Sequence, residues 1–95
     1  MDLSTPGRRL YAIRLQYGDG SRKAEPLKAF AKRVEDITGE HYDPMTLSLL
    51  ERDEQGWKLI DAEILSQLDK ERRGKEWLAF GPAVNDAAEP KRKAR

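Results

Sequence analysis

The stretch on which the fold turns is Arg9-Leu10-Tyr11-Ala12-Ile13-Arg14-Leu15-Gln16-Tyr17, residues 9–17. Read with a period of two, it places Tyr11, Ile13, Leu15 and Tyr17 on one face and Leu10, Ala12, Arg14 and Gln16 on the other. That alternation predicts a strand with one buried and one wetter face. Gly18-Asp19-Gly20-Ser21 then supplies turn chemistry, with glycines for positive φ and short polar side chains that bond locally. A brief return strand through Arg22-Lys23-Ala24 is the weakest of these readings.

The next segment has the opposite period. Leu27, Phe30, Ala31, Val34 and Ile37 form one apolar stripe at helical spacing, opened by Pro26 and closed by Gly39. After the polar loop Glu40-His41-Tyr42-Asp43-Pro44, residues 46–52 again read as a strand, with Leu47 and Leu49 inward and Ser48, Leu50 and Arg52 outward. Asp53-Glu54-Gln55-Gly56 has the length of a hairpin loop, and Trp57-Lys58-Leu59-Ile60 becomes the partner strand. A second helix starts at Asp61 as N-cap, buries Ile64, Leu65 and Leu68, carries Lys70, Arg72 and Arg73 in its last turn and stops at Gly74. A last strand runs from Glu76 to Phe80, and Gly81-Pro82 ends it.

The resulting order, β-α-β-β-α-β, is that of the ferredoxin-like α+β fold: a two-layer domain with a four-stranded antiparallel sheet and two helices on one face. The expected organisation is a disordered N-terminus over 1–7, a single domain over 8–82 and a disordered basic C-terminal tail over 83–95.

Composition narrows the function classes. The 95 residues are 38% hydrophobic and 37% charged, contain no cysteine and carry a net charge of +1. The absence of cysteine removes disulfides, thiol nucleophiles and thiolate metal sites, and points to a reducing, cytoplasmic setting. No apolar run is long enough to cross a bilayer. Residues 8–82 hold 14 Lys/Arg and 14 Asp/Glu, whereas 83–95 hold four basic and two acidic residues, so basic character concentrates in the tail.

No catalytic, metal or nucleotide motif stands out, and the expectation is a non-enzymatic protein without cofactor or metal. Glu40, His41 and Asp43 are the one histidine-containing polar cluster, and three residues in one loop read as solvated surface sooner than as ligands. Residues 18–23 lack the glycine spacing of a phosphate cradle. Leu10-Tyr11-Ala12-Ile13-Arg14-Leu15 resembles the first-strand motif of RNA-recognition domains, which implies bases stacked on aromatic side chains. Tyr11 shares its strand face with Ile13 and Leu15, however, which favours core packing over a stacking platform.

The leading expectation is a protein-interaction or assembly module that binds a partner, or itself as a homodimer, through the open sheet face. Its interface candidates are Arg14, Leu50, Arg52, Lys58, Ile60 and Trp77, since Trp and Arg are typical interface anchors. The alternative is a nucleic-acid-associated accessory protein. It would hold phosphates with Arg22, Lys23, Lys28 and Lys32, near and on the first helix, and with Lys91, Arg92, Lys93 and Arg95 of the tail.

Overall fold

A computed structural model of the chain describes residues 2–19 and 23–82. Its elements are five α-helices: α1 (Pro6–Leu15), α2 (Leu27–Thr38), α3 (Pro44–Glu51), α4 (Leu59–Leu65) and α5 (Lys75–Phe80), with a single 3-10 turn, Ser66–Leu68, after α4. No strand occurs among the described residues. The expected ferredoxin-like α+β fold, with its sheet and open face, is therefore corrected to an all-helical domain.

Residues 9–17 show why. Leu10 and Ile13 are fully buried and Tyr17 packs against the same core, a spacing of three and four residues that belongs to a helix. The alternating reading placed Leu10 outward and Tyr11 inward, and the structure has the reverse: Tyr11 is 37% exposed. Thr5 accepts the Arg8 N–H as N-cap and Pro6 occupies the first turn, so the helix begins where its chemistry allows.

The second expected strand, 46–52, is α3. It too begins at a proline preceded by a capping residue type, Asp43-Pro44, and it buries Leu47 and Leu50 three residues apart. Residues 57–58 are extended and α4 takes over at Leu59, two residues before the expected N-cap. Lys70, Arg72 and Arg73 lie in the connection after the 3-10 turn instead of in a last helical turn. The last expected strand is α5, a short helix between two left-handed glycines, Gly74 and Gly81. Of the predicted helices the first is nearest to its reading: α2 buries Phe30, Ala31 and Val34 and Gly39 closes it at φ 81°, but Pro26 is its N-cap instead of its first residue and Ile37, expected in the buried stripe, is 47% exposed.

The core joins Leu10 and Ile13 of α1, Phe30 and Val34 of α2, Leu47 and Leu50 of α3, Ala62 and Leu65 of α4, Leu68 of the 3-10 turn and Leu78 of α5. α1 packs on α3 and α5, α2 on α3, and α4 on α5. Helices this short are unstable alone, so each depends on burying its apolar side against the others.

Polar clamps lock the arrangement. The buried Arg9 donates to the carbonyls of Leu3, Leu78 and Ala79, satisfying acceptors at the end of α5. Asp53 adopts φ 55° at the end of α3, where Asp is among the few residues that tolerate this conformation. Its carboxylate accepts from the Gly7 N–H at 2.9 Å and from the Thr5 hydroxyl, tying the end of α3 to the start of α1.

Candidate functional site

α2 and α3 are consecutive helices joined by a short turn and packed on one another. Gly39 in the left-handed region ends α2, residues 40–43 turn the chain, and α3 starts at Pro44. The turn is braced by an exposed histidine bridge and a half-buried tyrosine. His41 bridges Glu35 at 3.4 Å and Asp43 at 3.0 Å, and the Asp43 and Glu35 carboxylates hold its pKa above the ordinary histidine value. Tyr42 donates to Asp61 at 2.7 Å, and burial followed by that bond pushes its phenol well up.

The inner side of α3 is fixed from three directions. Leu47 and Leu50 sit in the core. Arg14 of α1 holds Glu51 with two parallel hydrogen bonds, at 2.5 and 2.8 Å, and donates at 2.6 Å to the Glu25 carbonyl just ahead of α2. Trp57 donates its indole N–H to the Leu50 carbonyl at 3.0 Å, covering the end of the helix.

Helical spacing then dictates the outer side. Met45, Ser48, Leu49 and Arg52 fall at i, i+3, i+4 and i+7, opposite the buried pair. Met45 is 65% exposed and Arg52 is exposed; Ser48 and Leu49 are half-buried. Beside Arg52, a shallow hollow of about 280 Å³ is lined by Arg8, Tyr11, Glu51 and Arg52, so α1 extends this surface with an aromatic and a second guanidinium.

The sequence-derived candidates scatter. Leu50, expected on an open face, is fully buried because its helical position points into the core, and Arg14 is half-buried and committed to Glu51. Trp77 is half-buried beneath the Arg73 guanidinium, 3.6 Å from its ring centroid. Arg52, Lys58 and Ile60 are exposed, but on α3 and around the start of α4 instead of on one sheet. Lys23, Lys28 and Lys32 are exposed, with Lys32 paired to Asp36 at 3.2 Å. Arg22 and the tail residues Lys91, Arg92, Lys93 and Arg95 lie outside the described residues.

Met45 and Leu49 escaped the sequence reading as surface residues, whereas Ser48 was read outward, on a strand. The signal that finds them is Asp43-Pro44 taken as a helix start, followed by Leu47 and Leu50 at helical spacing. Among the described residues no group of three His, Cys, Asp or Glu is placed to hold a metal, and no helix is long and apolar enough to cross a membrane. No protein-family model, curated protein or solved structure matches this chain.

Proposed function

We propose that the chain is a DNA-binding module that presents α3 to a duplex groove, with α2 and α3 acting as a helix–turn–helix pair. The observation that carries this reading is the division of α3: an inner side immobilised by Leu47, Leu50, Glu51 and the Trp57 bond, and an outer side on which Met45 is exposed, Ser48 and Leu49 are half-buried, and Arg52, just past the last turn, is exposed and paired with Glu54 at 3.5 Å. A helix with its side chains is about 10–12 Å across and the major groove about 12 Å wide, so a helix such as α3 can enter it.

The side chains have groove chemistry. Arg52 suits guanine, Ser48 is a general hydrogen-bonding group, and Met45 and Leu49 offer apolar contact to a thymine methyl. Lys28 of α2 and Lys58 before α4, both exposed, suit phosphate contacts, as do the first N–H groups of α2 and α3, neither of which has a side-chain cap. Because residues 8–82 are neutral overall, groove contacts must contribute much of the affinity.

Selection of duplexes from a random library with the full chain tests the proposal. Enrichment of a short sequence is expected, with Met45→Glu or Arg52→Ala costing about 1–3 kcal/mol of binding each and leaving the melting temperature unchanged. Failure to retain any duplex at low salt overturns it. The apolar pair Met45 and Leu49 supports a second reading, a protein partner docked on the same face; loss of that partner on Met45→Glu, with no duplex bound, would favour it.

A further inference from the structure

A second exposed apolar surface lies away from α3, where the start of α4 meets the end of α5. Leu59 is 67% exposed, Ile60 52% and Phe80 71%. Leu59 and Phe80 both line a cleft of about 270 Å³, together with Glu63, Lys75 and Glu76. Folding accounts for none of this exposure, because Ala62, Leu65 and Leu78 already make the contacts of these two helices to the core.

The cleft is smaller than the roughly 300–1,000 Å³ of small-molecule sites and suits one protruding side chain. The molecule carries such a side chain on the cleft's own edge, the Phe80 ring. The rim holds both signs, Lys75 beside Glu63 and Glu76, with Lys58 next to Leu59 in the chain. A surface that carries donor and receptor, and cation and anion, is complementary to itself under two-fold rotation, since each pair is then made twice. A strongly acidic or basic partner would be met instead by a rim of one sign.

We propose that the α4–α5 face is a self-association surface on which a second copy of this chain docks in a two-fold dimer, each protomer seating its Phe80 in the other's cleft. The contact can be tested apart from the DNA reading, because the two share only Lys58 and its readout is mass.

Sedimentation equilibrium of the full chain, from about 1 to about 500 µM, tests it. A monomer–dimer equilibrium is expected, with Phe80→Glu raising the dissociation constant at least about tenfold and the melting temperature of the monomer unchanged. Leu59→Gln should act in the same direction. A chain that stays monomeric throughout, or a dimer indifferent to both substitutions, overturns the proposal. So does a full-length monomer that dimerises only once residues 83–95 are removed, which would assign the cleft to the tail.

Discussion

At the scale of single residues, the fold rests on a few positions whose chemistry admits little substitution. Gly7 sits where α1 meets the end of α3, and a Cβ there would overlap the carbonyl oxygens of Glu51 and Leu50 and the Asp53 carboxylate. Gly7→Ala should force the helices apart and cost about 2 kcal/mol or more, measured by urea denaturation. A change under about 0.5 kcal/mol would show that the junction yields easily. Asp69 is the other such position. Burial opposes its ionisation, but hydrogen bonds from Arg73, Gln16 and the backbone N–H groups of Arg73 and Glu71 win, holding its pKa at about 2. A carboxylate depressed in the folded state contributes stability above its unfolded value and loses it as pH falls through the folded one. The contribution, about 2 kcal/mol, should therefore be intact above pH about 4 and vanish towards pH about 2. In Asp69→Asn, that part of the acid dependence should disappear. The role of Gly7 was not legible in the sequence, because the groups that crowd it belong to Leu50, Glu51 and Asp53, and Asp69 joins local bonds from Glu71 and Arg73 to one from Gln16, 53 positions away.

At the scale of elements, what could be read depended on how far periodicity alone separated helix from strand. α2 was legible because its apolar stripe spans three turns and both ends carry matching punctuation. Phe30 is fully buried at its centre, so Phe30→Ala should cost roughly 3–5 kcal/mol and bring a small domain close to unfolding. A circular-dichroism melt unchanged by the substitution would contradict that placement. α1, α3 and α5 are shorter, between six and ten residues, and each has apolar side chains at several neighbouring positions. In Leu47-Ser48-Leu49-Leu50, for instance, a period of two and a period of three both find apolar residues. The arbiter was the cap chemistry. Thr5-Pro6 and Asp43-Pro44 each place a residue of N-cap type before a proline at the start of the helix, although only Thr5 makes the capping bond, and a proline removes a ladder hydrogen bond from any strand that follows closely. The candidate surface inherits the same logic: Leu50 could be inward only if α3 was a helix, and Met45, Ser48, Leu49 and Arg52 then shared the opposite face.

At the scale of the whole molecule, charge decides which part of the chain would carry the proposed DNA contact. The neutral balance of residues 8–82 gives little long-range attraction, while the tail adds four basic residues against two acidic ones. Each phosphate neutralised on duplex DNA adds about 0.9 to the slope of log affinity against log salt. If the tail carries the binding, deleting residues 83–95 should flatten that slope by as much as about 3–4 and abolish retention of any duplex. If α3 carries it, with Lys28 and Lys58 on the backbone, the deletion should lower affinity for all duplexes alike and leave the ranking of sequences intact. Met45→Glu in the shortened chain should then erase the ranking while changing the slope little, because a charge introduced in the groove opposes base contact without releasing counterions. We expect this second pattern, since the side chains able to discriminate bases lie on α3 and helical geometry presents them together. Fluorescence anisotropy on a selected and a scrambled duplex, at several salt concentrations and with both chain lengths, distinguishes the two. A ranking lost together with the tail would place recognition outside α3 and remove the central support for its role.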